Sequence, residues 1–406
     1  MALVVQKFGG SSIGNIDKIQ HVANKIIEAR EQGHRLVVVV SAMEGETNRL
    51  ISLAKTLNEQ PDPREYDLLL ATGEQVTTAL LAMALLAQGC PARSYNGFHV
   101  PIYTDNHHQK ARILNVEENI IRNDIEACRV PIIAGFQGIS IAGDITTLGR
   151  GGSDTTAAAL AAALQADECQ IYTDVDGIYT ADPHIVTQAK RLDTVDFSEM
   201  VEFSRAGSQV IQHRAVEIAN KYRVPLRILS SFKKGAGTLI QTNGTSGIEQ
   251  ARITGLAVSQ QEAKIVIQGL SCQQEALAQF FFLLNDACIE IDMLTQQLIS
   301  EAHMDVIFTL ARSEYLQAEL ALQALIQPGY AKTVLGNRKV AKLSIIGTGL
   351  HSHPGIIHTL FQTLGRESIN ILLILSSNLR ISLVVDESQV VRGMQLLHHA
   401  FELDKE

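Results

Sequence analysis

Leu3-Val4-Val5-Gln6-Lys7-Phe8-Gly9-Gly10-Ser11-Ser12-Ile13-Gly14 runs from an apolar, β-branched stretch into a glycine loop led by a lysine. The residues after it, Ile16 to Arg30, repeat apolar side chains at helical spacing. Ile16, Ile19, Val22, Ala23, Ile26 and Ile27 fall on one helical face, with Asn15 as N-cap and Gly33 as stop. A strand, a glycine turn and an amphipathic helix make the opening of a parallel α/β unit. The same alternation continues through Leu36 to Val40 and on to Pro225 to Leu229, which predicts a mostly parallel sheet with helices on both faces. Composition shifts across Lys233 to Ile248, where Gly235, Gly237, Gly244 and Gly247 sit among Thr, Asn and Ser; this places a domain boundary near residue 247. Beyond it the chain repeats itself. Ala263 to Gly269 aligns with Ala341 to Gly347, Ile291 to Leu294 with Ile369 to Leu372, and Met304 to Phe308 with Arg380 to Val384. Each copy reads strand, helix, strand, strand, helix, the start of a ferredoxin-like β-α-β-β-α-β module. The expected division is residues 1–247, 248–336 and 337–406.

Composition narrows the function. The 406 residues are 46% hydrophobic and 19% charged, with 34 Lys and Arg against 43 Asp and Glu, a net charge of −9. That acidic balance, no Trp and 5% aromatics argue against a nucleic-acid partner. The longest apolar run, Ala79 to Ala87, is far below the roughly 18 residues of a bilayer span, and no secretory core precedes Lys7, so a cytoplasmic protein without a membrane partner is expected. Cys90, Cys128, Cys169, Cys272 and Cys288 are odd in number and never spaced as C-x-x-C, and read as small buried hydrophobes.

Three loops could carry chemistry. In the first, the glycines turn N–H groups inward, the following helix adds a positive end and Lys7 adds a charge, a phosphate cradle in outline. The lysine precedes the glycines, so the loop is not a Walker A motif. Gly10 to Gly14 also fits G-x-S-x-G, but a nucleophile elbow after the first strand would lack a sheet to carry its oxyanion loop. The second is Thr146 to Thr156, in which Gly149, Gly151 and Gly152 surround Arg150, whose planar fork suits a carboxylate or phosphate; Ser153 and Asp154 read as N-caps of the helix that follows. The third, Tyr172 to Pro183, is a polar loop at the carboxyl end of a strand, where nucleotides sit in open α/β sheets; an Asp-Gly turn is its plainer reading. His351, His353 and His358 lack acidic or Cys companions at ligand spacing and read as a solvated loop and helix.

Lys7 to Ser12, Val40 to Met43 with Thr47 and Asn48, Thr72-Gly73-Glu74, Gly135 to Gly138, Thr146 to Asp154, Thr173 to Pro183, and Ser230 to Phe232 with Gly237 and Thr238 occur in the order seen in the aspartokinases of the amino acid kinase superfamily. The resemblance covers essentially the whole chain, and the doubled C-terminal repeat resembles a pair of ACT domains. It implies a three-layer α/β/α amino acid kinase fold followed by two ferredoxin-like ACT domains. The implied reaction is ATP- and Mg²⁺-dependent phosphorylation of the L-aspartate side chain, on the route to lysine, threonine, methionine and diaminopimelate. Feedback by lysine, threonine or both, and a homo-oligomer formed through the ACT domains, come with it. By the same resemblance Lys7, Gly9 and Gly10 hold phosphates, Asp154 orients Lys7, Arg150 pairs with the substrate α-carboxylate and Glu74 holds its ammonium. Ser41, Thr47 and Ser153 touch the substrate; Thr173, Asp174, Tyr179 and Asp182 touch the nucleotide; Asp292, Pro354, Gly355 and Asn370 mark the effector sites. The chain departs from the family at Gln209, where a basic nucleotide contact is usual, at His184 after Asp182-Pro183, and at Cys272 to Glu275, where an Asp-x-Pro-Gly turn is usual. Other readings from the residues alone are a glutamate or acetylglutamate kinase and an amino-acid sensor without catalysis.

Overall fold

The computed structural model describes residues 1–208, 210–242 and 252–405. Gln209 and the boundary near residue 247 lie outside the described residues. The chain forms two compact units, the first drawn from residues 1–179, 191–205 and 209–248 and the second from 180–190, 206–208 and 249–406.

The first unit is built on an eight-stranded sheet in the order Thr194–Asp196, Thr238–Gln241, Leu226–Ser230, Glu168–Thr173, Leu3–Phe8, Arg35–Val40, Val130–Ala134, Ala92–Tyr95. Every neighbouring pair is parallel except Leu226–Ser230 with Thr238–Gln241. The six buried residues of Leu3–Phe8 explain its central place, since a strand covered on both faces is apolar throughout rather than alternating. Val4 and Phe8 pack with Ile19, Val22 and Ile26 of the helix Ile16–Glu31 and with Leu81 and Leu85 of the helix Thr72–Ala87. Gly152–Leu164, with Ala157, Ala158 and Ala161 fully buried, also packs on this central part of the sheet, and Lys7 reaches its first turn. Asn15 accepts the Lys18 N–H as expected of an N-cap, and Gly33 takes φ +89° past the helix end, but Ile16 is exposed. The continuous helical stretch Pro63–Ala87 is apolar and long enough to cross a membrane; half of it is buried within the protein, and it carries the buried charges Asp67 and Glu74. A smaller four-stranded sheet, Ile113–Val116, Ile102–Thr104, Gln137–Ser140 and Ile145–Thr147, completes the unit.

In the second unit the repeat seen in the sequence becomes a single six-stranded sheet with two long strands, Arg252–Ser271 and Thr333–Thr348, at its centre. Residues 262–271 of the first pair with His303–Ala311 and with the start of the second; residues 252–259 pair with the end of the second, which in turn pairs with Arg380–Asp386. Each half therefore has four strands and two helices, Gln274–Asp286 and Tyr315–Leu322 in one, Pro354–Arg366 and Val390–Ala400 in the other. The second module takes its fourth strand from residues 252–259, ahead of the first module, so the sequence division at 336/337 falls inside a shared strand. Two strands long enough to run through both modules close each of them without leaving a gap between the sheets. Residues 180–190 also belong here: Ala181 and Val186 join Leu256, Leu343 and Leu397 in one core, and Leu256 N–H donates to the Thr180 carbonyl at 2.7 Å. Of the cysteines, Cys90 and Cys169 are buried, Cys272 is partly so, and Cys128 and Cys288 are exposed, so only two behave as core residues.

Candidate active site

In open parallel sheets ligands gather at the carboxyl ends of the strands, and here Leu3–Phe8 and Arg35–Val40 release Gly9-Gly10 and Ser41-Ala42 at that edge. A strand alternates its side chains between faces, so Lys7 points to the face opposite Phe8. There the helix Gly152–Leu164 begins, and Lys7 Nζ lies 2.7 Å from Asp154 Oδ1. The Gln212 N–H donates to the other oxygen of Asp154 at 3.2 Å. The helix is not capped by Ser153 or Asp154: it starts at Gly152 behind Gly151, whose φ is +73° and whose added Cβ would lie 2.8 Å from the Gln212 side chain. Glycine at that point frees both side chains of the first turn for other work.

Beside this ion pair lies a cavity of about 490 Å³ lined by Lys7, Gly10, Ser41, Thr47, Glu74, Arg150 and Ser153, seven of the expected site residues, together with Tyr66, Gln109, Phe136 and Thr147. Glu74 is 3% exposed, in the first turn of Thr72–Ala87. Its Oε1 accepts the Ala42 N–H at 3.0 Å, and its Oε2 is buried with no hydrogen-bond partner among the described residues. Burial pushes its carboxyl up to about 8, with the Ala42 N–H acting in the opposite direction. Arg150 is exposed at the cavity. Phe136 holds φ +70°, a costly conformation for an aromatic residue, fixed by its N–H to Thr156 Oγ1 at 3.1 Å and its carbonyl accepting from Leu148 N–H at 2.8 Å.

The remaining expected residues lie elsewhere. Gly9 does not line the cavity, and its N–H donates to the Tyr172 carbonyl at 3.2 Å, so this amide is committed to the sheet edge rather than to a phosphate. Thr173 ends the strand next to Leu3–Phe8, with its hydroxyl donating to Asp174 Oδ1 at 3.0 Å; the Tyr179 hydroxyl donates to Asp176 at 2.8 Å. Asp182 belongs to the second unit, where its side chain accepts the His184 N–H at 2.9 Å. Asp292 is paired with Lys342 and lies 3.5 Å from Arg380, Asn370 is exposed, and Pro354 and Gly355 open the helix Pro354–Arg366. Gln273, the N-cap of the matching helix in the first module, makes no side-chain cap bond. Tyr66 and Gln109 were not legible as site residues, because nothing in their local pattern distinguishes them from an amphipathic helix and a polar loop. Among the described residues no group of three His, Cys, Asp or Glu side chains could hold a metal ion.

The parallel sheet that carries this lysine-led glycine loop and the cavity beside it has the fold of an amino acid kinase. The family model of the amino acid kinase family matches residues 2–230, and that of an ACT domain matches 343–401. An aspartate kinase of Pseudomonas fluorescens is 51% identical over 406 residues, covering 100% of this chain and 98% of that one. Among solved structures, E. coli aspartokinase III in complex with aspartate and ADP superposes with a TM-score of 0.84 at 26% identity, covering 98% of this chain and 99% of that one. The same enzyme in complex with lysine and aspartate gives 0.74 at 25% identity, over 98% and 99%. The chain belongs to the aspartate kinases of the amino acid kinase family.

Proposed function

We infer that this protein transfers the γ-phosphoryl group of ATP to the side-chain carboxylate of L-aspartate in the cytoplasm, giving 4-phospho-L-aspartate and ADP. Its ACT modules make it subject to inhibition by lysine, threonine or both. The product opens the route to lysine, threonine, methionine and diaminopimelate. The observation that carries this reading is the buried, unpartnered Glu74 Oε2 in the same cavity as Arg150 and the Lys7–Asp154 pair. Glu74 takes the α-ammonium and Arg150 the α-carboxylate, a two-point clamp that leaves only the side-chain carboxylate free to react; an acetylated amine has no charge for Glu74.

That carboxylate, with a pKa of about 3.9, is an anion at neutral pH, so attack on phosphorus needs no general base. One of its oxygens forms the new P–O bond while the bond to the bridging oxygen of ADP breaks, and no proton is transferred. The barrier is the approach of two anions, so the protein's work is alignment and neutralisation. Lys7 supplies the positive charge at the phosphoryl oxygens and Asp154 fixes its direction. Mg²⁺ carried in with ATP would neutralise phosphate charge, and no side chain of this protein is assigned to hold it. Thr173, Asp174, Tyr179 and Asp182 are assigned to the nucleotide. The two outer strands of the regulatory sheet, Leu294–Leu298 and Leu373–Ser376, leave edges unpaired among the described residues, with Leu298 and Ile374 exposed, which supports pairing with a second copy of the chain.

The test is ATP-dependent acyl phosphate formation, trapped as hydroxamate, with L-aspartate against L-glutamate and with lysine and threonine added singly and together. Turnover on aspartate that falls with an effector is the expected result. Preference for glutamate, or no turnover, would refute the catalytic reading.

A further inference from the structure

Asp67 lies on the helix Pro63–Leu70 between two residues of the cavity wall, Tyr66 and Leu70, yet is itself fully buried. Its carboxylate collects donors from two other segments. Oδ1 accepts the Thr147 hydroxyl at 2.6 Å and the Gln109 N–H at 3.1 Å. Oδ2 accepts the Gln109 N–H at 2.9 Å and the Thr147 N–H at 3.0 Å, and faces His108 Nδ1 at 2.9 Å. No Lys or Arg is paired with it among the described residues.

Gln109 and Thr147 both line the cavity, and both lead to Arg150. Thr147 ends the strand Ile145–Thr147, three residues before it. Gln109, at φ +67°, sets its carbonyl oxygen against Gly149, where an added Cβ would be 3.2 Å away. The Ala111 N–H donates to the Thr147 carbonyl at 3.0 Å, closing the loop of Gln109 against the strand end that precedes Arg150. The glycines on both sides of Arg150 give this stretch backbone freedom, with Gly149 at φ +81° and Gly151 at +73°. Something must remove that freedom for a guanidinium to meet a carboxylate in a fixed orientation.

We propose that Asp67 is the positioning residue for the aspartate side of the site: by gathering the Gln109 and Thr147 backbone it holds the Gly149-Arg150 turn where Arg150 can receive the substrate α-carboxylate. The residue type fits this role. Two backbone N–H groups and a hydroxyl all donate, and only a carboxylate offers acceptors on both of its atoms; an amide would turn an N–H₂ toward donors. The inference rests on the assignment of Arg150 to aspartate, and its test separates the two.

Steady-state kinetics of the full-length wild-type enzyme, Asp67→Asn, Thr147→Val and Thr147→Ser are compared with aspartate and ATP varied in turn. Asp67→Asn is expected to raise KM for aspartate about tenfold or more, with KM for ATP within about twofold and kcat within about threefold at saturating aspartate. Thr147→Val, which loses one donor without changing shape, should raise the aspartate KM by about threefold, and Thr147→Ser, which keeps the donor, should restore it. Should Asp67→Asn fail to fold, the Thr147 pair carries the same test. An unchanged aspartate KM, or both KM values rising together as loosened packing would cause, overturns the role of Asp67. A wild-type enzyme that does not phosphorylate aspartate overturns the functional reading and this inference with it.

Discussion

Two buried lysines of this chain sit against carboxylates in very different company. Lys342, in the regulatory unit, is 2% exposed and faces Glu262 at 3.1 Å and Asp292, with Arg380 closing the cluster 3.5 Å from Asp292. Lys7, in the catalytic unit, is 11% exposed and has one anion, Asp154, while Glu74 in the same cavity keeps an oxygen without a partner. A lysine held between two carboxylates is neutralised within the fold; a lysine with one carboxylate, beside a cavity, keeps charge to offer a ligand. Burial and charge alone do not separate the two lysines, and the partner count does.

Mutation should therefore separate the two by turnover rather than by stability. Lys7→Ala is expected to lower kcat of the folded enzyme by on the order of 10³-fold, read from coupled ADP release, and, because it leaves the buried Asp154 carboxylate without its cation, to lower the thermal midpoint as well. Lys342→Met strands the buried Glu262 and leaves Asp292 only Arg380, and should destabilise the regulatory unit by about 3 kcal/mol or more, read from denaturant unfolding, while leaving turnover of folded protein without effector close to wild type. Comparable losses of kcat in both variants would erase the distinction. Next in size is Arg150→Ala, which should raise the aspartate KM by about 10- to 100-fold with the ATP KM nearly unchanged.

The orphaned carboxylate sharpens the contrast through pH. With its pKa at about 8, Glu74 is mostly protonated at neutral pH in the free protein and must ionise to hold an ammonium. So kcat/KM for aspartate should fall as pH drops below about 8, approaching tenfold per unit, and Glu74→Gln should flatten that limb while lowering the overall value. Because the folded pKa is raised from 4.5 to about 8, the free protein should also lose stability as pH rises between those values, and aspartate should restore it. The smallest expected effect is at His398, buried in the regulatory unit with its Nε2 3.0 Å from Thr180 Oγ1 and with Asp404 and His399 as its charged neighbours. Desolvation lowers its pKa, so the unfolded chain takes up a proton first and stability should decline as pH falls below about 6.5. In His398→Gln that decline should weaken; an unchanged slope on chemical denaturation would assign it to other groups.

Much of this was readable from the chain alone. Strand, glycine loop and helix at Leu3 to Arg30 announced a parallel sheet because side-chain period and turn chemistry are local properties, and the recurrence of Ala263 to Gly269 at Ala341 to Gly347 exposed the doubled module for the same reason. Lys7 and Arg150 could be picked out from charges set among glycines, whereas Asp154 read as a helix cap and its link to Lys7 came only with the family resemblance. The exchange of residues 252–259 into the second module could not be picked out, since a strand's pairing partner is not written in its own alternation. Nor could the burial of residues 180–190 in the regulatory core: Ala181 and Val186 look like any loop residues until Leu343 and Leu397 are brought to them.

What the sequence determined by itself was therefore the kind of element at each position, the repeat, and the residues with charges worth using. What only the tertiary structure decided was which charges are left incomplete. Glu74 reads as an ordinary helix N-terminal carboxylate, and becomes a candidate ligand for ammonium only where Ala42 satisfies one oxygen and burial isolates the other. Asp67 reads as one acidic residue on an amphipathic helix, and gains its meaning from Gln109 and Thr147, 42 and 80 residues away. Desolvation and partner count are properties of packing, and packing is set by the whole chain.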